Sequence, residues 1–186
     1  GQGGDEIFGG YARYLIAYFE QCIKAAIDGT YQDGNFVVTI ESIVPNLGLL
    51  REYKPLMQQF WKDGLFGELD ERYFRLINRS NDMVEEIDWS LLPIGHSLEK
   101  FKHIFNNKNN VQKEAYFDKM TRFDFKCLLP ALLHVEDRMS MAHGLESRVP
   151  LLDHALVEFV ASIPADVKFE GGQMKRLLKT AYAEVL

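Results

Sequence analysis

Three segments of this 186-residue chain gather charged and hydrogen-bonding side chains at spacings that could serve chemistry. The first opens the chain as Gly1-Gln2-Gly3-Gly4-Asp5-Glu6-Ile7-Phe8-Gly9-Gly10-Tyr11. Closely spaced glycines let backbone N–H groups approach an anion without Cβ clashes. A helix that follows them would add its N-terminal dipole. Asp5 and Glu6 add carboxylates suited to a hard cation such as Mg²⁺. Spacing alone supports two readings equally: a nucleotide–metal turn, or a glycine turn with two acids in the first turn of a helix.

The second segment runs from His134 to His154 and holds Glu136, Asp137, Arg138, Glu146, Arg148 and Asp153 among apolar residues. Arg binds carboxylate or phosphate through paired N–H donors, so these residues could form the wall of a substrate or nucleotide pocket. They could equally be a structural ion-pair network at a helix–loop–helix corner. Glu146 and Arg148 are expected to be buried and mutually paired, and Asp153 to cap the helix that begins at His154. His134, Asp137, His143 and His154 are a weak metal set. They contain no His pair four apart, and neither Cys22 nor Cys127 is near in sequence. In the third segment, Lys175 and Arg176 follow the Gly171-Gly172 pair at a helix start, where a phosphate could sit or a basic face could meet solvent.

The elements that must hold these segments read as helices. Tyr11, Leu15, Tyr18, Phe19, Cys22, Ile23 and Ala26 recur at spacings of three and four, with Gly29 as terminator. Residues 36–44 fit strand or helix, and Pro45 closes them. Leu56, Met57, Phe60 and Trp61 form a stripe ending at Gly64, and residues 68–79 are amphipathic. Trp89 to Pro93 suggests an anchored loop, and Asn106 to Asn110 a polar one. Helical spacing returns at 111–129, Pro130 divides that helix from an apolar one at 131–135, and helices are expected at 154–162 and 173–185. No alternating strand series supports a sheet.

Composition is that of an ordinary globular domain: 47% hydrophobic, 12% aromatic and 26% charged. Asp and Glu number 27 against 21 Lys and Arg, a formal charge of −6. That balance argues against nonspecific binding to nucleic acid or anionic membranes, while leaving room for a local anion site. Two isolated cysteines fit a reduced, cytoplasmic setting. The chain starts on a glycine motif without Met, which suggests a piece of something longer.

The three segments together resemble the C-terminal synthetase domain of the asparagine synthetase family. The opening resembles the family's Ser-Gly-x-Gly-(Ala/Gly/Ser)-Asp-Glu-x-x-Gly-Gly-Tyr segment, entered one residue late. Asp137 to Asp153 resembles its Asp-Arg-Met-Ser-Met-Ala-His-x-x-Glu-x-Arg-x-Pro-x-Leu-Asp run, and residues 156–182 its following helices. The likeness covers residues 1–14 and 122–182, and residues 30–110 carry no specific motif. Residues 3–8 also imitate a diguanylate cyclase signature, but that motif sits on a hairpin within an α/β domain, and here helices follow.

The resemblance implies a mainly α chain, the helical C-terminal portion of an α/β pyrophosphate-loop synthetase domain, with residues 1–186 one partial domain. It implies a parent ligase that uses ATP and Mg²⁺ to adenylate the side-chain carboxylate of aspartate. Ammonia from an N-terminal glutaminase domain of the same parent then makes asparagine. By the same resemblance Asp5 is a metal ligand, Gly1 lies at the edge of the nucleotide segment, and Gln2 and Asp124 face the substrate; Gly3, Gly4 and Lys175, from their spacing, are the further candidates for holding the nucleotide. Gln2 departs from the Glu of better-known members. An amide cannot act as a carboxylate base, which leaves the acceptor and the proton path open. The pyrophosphate loop, the glutaminase nucleophile and the family's catalytic Lys lie outside these residues, so the chain alone is expected to be inactive and, with an apolar face uncovered, to favour self-association. The competing readings are a β-lactam synthetase-like or other amide-forming ligase of the same fold, and a non-enzymatic helical interaction module.

Overall fold

The opening turn leads into α1 (Gly4–Phe8), and α2 (Ala12–Asp28) follows. In α2 the five residues Tyr14 to Tyr18 are all buried. A helix at a protein surface buries one stripe, so burial on every side marks α2 as central. The computed structural model describes residues 1–28, 44–93, 95–107, 116–168 and 170–185. Every regular element among them is helical, as the mainly α expectation requires. The ambiguous stretch 36–44 falls almost wholly outside the described residues, and Pro45 stands near the start of a 3₁₀ segment, Val44–Tyr53.

Around α2 stand α3 (Lys54–Phe60), α4 (Leu69–Ile77), α5 (His96–Phe105) and α6 (Tyr116–Phe123). Aromatic side chains fill the space between them. Tyr73 stacks on Phe105 with centroids 5.4 Å apart, and Phe123 meets Phe101 edge-on at 4.8 Å. Such pairs add about 0.5–1.5 kcal/mol each beyond the area they bury. The described part of the stretch without a specific motif, from Leu50 to Phe105, thus supplies much of the core. The expected anchoring of the Trp89–Pro93 loop is met only at Trp89, which is partly buried, while Leu91 is 80% exposed.

Beyond α6 the chain does not break at Pro130. It passes through a π turn, Asp124–Leu128, directly into α7 (Leu129–Met141). Pro130 falls in the first turn of α7, where its missing N–H costs nothing. The helix expected at 131–135 is therefore longer, reaching Met141. A 3₁₀ turn (Pro150–Leu152) leads to α8 (His154–Ser162), whose first turn is capped as expected: the Leu156 N–H donates to Asp153 Oδ1 at 3.2 Å. After α8 come α9 (Ala165–Lys168) and a 3₁₀ turn at Glu170–Gly172, and the helix expected at 173–185 is shorter, α10 (Arg176–Ala181).

Two buried charge clusters tie the helices together. In one, Glu20 of α2 accepts from Arg72 of α4 and from the Trp61 indole. The Arg72 guanidinium lies 4.6 Å from the Phe60 ring centroid and donates to Gly67 O at 2.7 Å. In the other, Asp124 Oδ2 accepts from Arg13 Nη2 at 2.6 Å and from the Tyr14 and Tyr73 hydroxyls at 2.5 Å each. Burial first, and then the Asp124 charge, holds both phenols well above their ordinary pKa, with Tyr73 adding to the effect on Tyr14, so they stay protonated and donate.

Removing one member of a buried ion pair leaves its partner's charge without compensation, at a cost of about 3–5 kcal/mol. Arg72→Ala is therefore expected to lower the free energy of unfolding in urea by about that amount. A variant that unfolds at the wild-type midpoint contradicts the role given to this pair.

Candidate functional site

The glycine turn at the start of the chain is shaped by what packs on it. Gly3 has φ of +87°, and a Cβ there would lie 2.2 Å from Leu152. The turn is thus pressed against the 3₁₀ turn that precedes α8. Gly10 meets a different neighbour. A Cβ on Gly10 would lie 1.8 Å from Asp5 Oδ1 and 2.4 Å from Lys175 Cε. The absence of a side chain at position 10 lets those two groups meet: Lys175 Nζ stands 2.8 Å from Asp5 Oδ1. Lys175 itself sits in the left-handed region at φ 55°, its N–H donating to Gly9 O at 3.3 Å. Both side chains of the pair are about one-third exposed, at 33% and 34%. The sequence placed Asp5 and Lys175 in two separate segments, and the fold makes them one ion pair.

Next to this pair the chain's first residues reach α7. The Gln2 amide Nε2 donates to Glu136 Oε2 at 2.7 Å, and the Ser147 hydroxyl donates to Glu136 Oε1 at 2.7 Å. These bonds, Ser147's first, hold the Glu136 carboxyl below its ordinary pKa, so it is ionised at neutral pH. Glu6 is buried and accepts from the Tyr11 hydroxyl at 2.6 Å. Burial and Glu6 raise the Tyr11 pKa, and the Arg13 guanidinium lies 3.8 Å from the centre of the Tyr11 ring.

Asp124, expected to face the substrate, is fully buried, with Oδ2 committed to Arg13 and two tyrosines. Its partners give it a structural task. Asp137 and Arg138 are exposed on α7. Glu146 and Arg148 pair as expected, at 2.9 Å, but 70% and 79% exposed, contrary to the expectation of burial. They lie in the open stretch between α7 and the 3₁₀ turn, where charge needs no burial to be tolerated. His134, His143 and His154 are exposed. Among the described residues no group of three or more His, Cys, Asp or Glu could hold a metal by itself. A single carboxylate beside an ammonium fits a Mg²⁺ that brings its own phosphate and water ligands, and does not fit an all-protein cation cage.

In the sequence Glu136 was one member of the charged run with no partner indicated, and Arg13, Tyr14 and Tyr73 were not marked at all. For Glu136 a signal was present: a Gln at position 2 within a charged site needs an acceptor, and Glu136 opens the charged run. No comparable signal marked Tyr73, which reaches Asp124 from 51 positions away.

A family model described as asparagine synthase matches residues 1–186. Asparagine synthetase [glutamine-hydrolyzing] 3 of Bacillus subtilis (strain 168) is 46% identical over 55 residues, 30% of this chain and 9% of that protein. Asparagine synthetase [glutamine-hydrolyzing] 1 of the same organism is 36% identical over 73 residues, 39% of this chain and 11% of that protein. The Gallus gallus asparagine synthetase [glutamine-hydrolyzing] is 41% identical over 49 residues, 26% of this chain and 9% of that protein. The matched part is thus about a tenth of the length of each relative. No solved structure gives a significant match.

Two outcomes follow from the geometry. Gly10→Ala must drive Asp5 and Lys175 apart, and overpacking of this kind costs about 1–3 kcal/mol; thermal unfolding of the variant at the wild-type temperature contradicts the close approach. Arg148→Ala removes an exposed pair and is expected to move the melting temperature by less than about 2 °C. A steep drop would mean that Arg148 is covered in the protein.

Proposed function

Because this chain belongs to the asparagine synthase family, we propose that its protein makes asparagine, activating the side-chain carboxylate of aspartate with ATP and transferring ammonia to it. The nitrogen is taken from glutamine by an N-terminal glutaminase domain of the same protein, a reading supported by the printed activity of the relatives. The observation that carries the proposal is the Asp5–Lys175 pair beside the glycine turn. It brings a cation and a carboxylate together, about one-third exposed to solvent, beside a turn that in this reading receives a polyphosphate.

In this reading Lys175 offers its ammonium to phosphate oxygens, and Asp5 contributes one anionic ligand to Mg²⁺. When bound, Mg²⁺ supplies neutralisation of the charge that develops on the departing pyrophosphate. Until then each side chain compensates the other, so neither charge stands alone in a half-buried setting. Gly1, Gly3 and Gly4 form the floor of the turn. The exposed polar groups of α7 and the stretch after it, Asp137, Arg138, Glu146 and Arg148, form the wall, and Asp153 fixes the start of α8 behind it.

The test is made in the full-length protein. Asp5→Asn keeps the size of the side chain and removes the charge a metal needs. Aspartate-dependent pyrophosphate release should fall ~100-fold, the scale of losing one electrostatic group aimed at transition-state charge. Glutamine hydrolysis should stay near the wild-type rate. Pyrophosphate release unchanged by the substitution would remove Asp5 from the site.

A further inference from the structure

Glu136 is held in a way the other carboxylates near the glycine turn are not. Asp5 is neutralised by Lys175, and Glu6 is buried under Tyr11. Asp124 is buried and paired with Arg13. Glu136 is partly exposed, and the donors fixed on its two oxygens, the Gln2 amide and the Ser147 hydroxyl, are both neutral. A guanidinium or ammonium would cancel its charge. An amide and a hydroxyl orient a carboxylate and leave the charge in place. Gln2 reaches Glu136 across 134 positions of sequence, so the contact joins the glycine turn to the charged run of α7.

We propose that Glu136 is the proton acceptor for the nitrogen nucleophile, with Gln2 and Ser147 as its positioning residues. The inference rests on the amide-forming reading above. In that reaction the lone pair of ammonia forms a C–N bond to the carbonyl carbon of the acyl adenylate. The C–O bond to the adenylate phosphate breaks, and its electron pair leaves with AMP. The nitrogen arrives with three hydrogens and keeps two in the amide. The third moves as a proton to the Glu136 carboxylate and from there to solvent. A side-chain amide such as Gln2 has no basic site for that proton, whereas the carboxylate hydrogen-bonded to it does. Exposure of Glu136 gives the proton a way out.

The experiment uses the full-length protein with aspartate, Mg-ATP and ammonium, and separates activation from amide formation. Activation is read as aspartate-dependent exchange of labelled pyrophosphate into ATP, and the second step as asparagine formed. Glu136→Gln should keep exchange within about threefold and lower asparagine formation ~100-fold or more, as loss of a general base does. The reversed pair Gln2→Glu/Glu136→Gln keeps a carboxylate and an amide in contact, and should form asparagine at least about tenfold faster than Glu136→Gln alone. Ser147→Ala removes a donor that holds the carboxyl pKa down, so the acid limb of the asparagine-formation profile should move to higher pH. Melting curves check that each variant is folded. Asparagine formed by Glu136→Gln at the wild-type rate, loss of exchange in step with loss of asparagine, a reversed pair no better than the single variant, or an unmoved acid limb each overturns the assignment. A wild-type protein without aspartate-dependent exchange overturns the amide-forming reading itself, and this inference with it.

Discussion

One buried carboxylate holds the parts of this chain in register. Asp124 sits at the π turn between α6 and α7, and its Oδ2 collects Arg13 and Tyr14 from α2 and Tyr73 from α4. Burying a charge is tolerable only where it is paired and hydrogen-bonded, and here one oxygen receives three side chains. The arrangement has a directional consequence. Arg13 lies three residues beyond Gly10, so fixing α2 also fixes the glycine turn that leads into it. Asp124 lies at the entry to α7, so the same contact fixes where α7 begins. A π turn is an energetically poor choice for a helix and tends to persist where a particular side chain must point a particular way. Here that side chain is Asp124.

From this node the candidate site follows geometrically. With α2 and α7 locked together, the turn before α2 and the exposed face of α7 lie close enough for Gln2 to reach Glu136. The glycine turn is closed from the other side by Leu152, and Lys175 arrives from the end of the chain to meet Asp5 over Gly10. The site is thus assembled from three distant segments. Two of its charged groups are treated differently: Asp5 is balanced by a cation, while Glu136 keeps its charge. The second cluster, Glu20 with Arg72 and Trp61, braces α2 against α3 and α4 at a distance in sequence from these residues.

Much of the helical order was legible because it leaves local marks. The spacing of apolar residues located α2, α3 and α4, and Asp153 and Gly64 stood where a cap and a terminator belong. The three charged segments were also legible, since residue type and neighbours suffice to find them. What the sequence hid was long-range. A buried tyrosine that donates to a carboxylate 51 or 110 positions away has no periodic signature, so nothing in the sequence singled out Tyr73 or Tyr14. Charge density misled in the opposite direction. Glu146 and Arg148 stand in a crowded run and suggested burial, yet the stretch that carries them lies open. Pro130 read as a divider because proline interrupts a helix interior, but after a π turn it occupies a first turn, where it fits.

The central claim is that Asp124 positions the glycine turn and α7 together. Amide hydrogen exchange on Asp124→Asn, followed segment by segment, tests it most directly, because local opening reports the stability of each unit separately. The account predicts that exchange in residues 1–11 and in 116–141 accelerates together, by about tenfold or more, while α3, which has no bond to Asp124 and is braced through Trp61 on Glu20, changes much less. Wild-type protection across residues 1–11 in that variant, or an equal loss of protection in every helix, would contradict it.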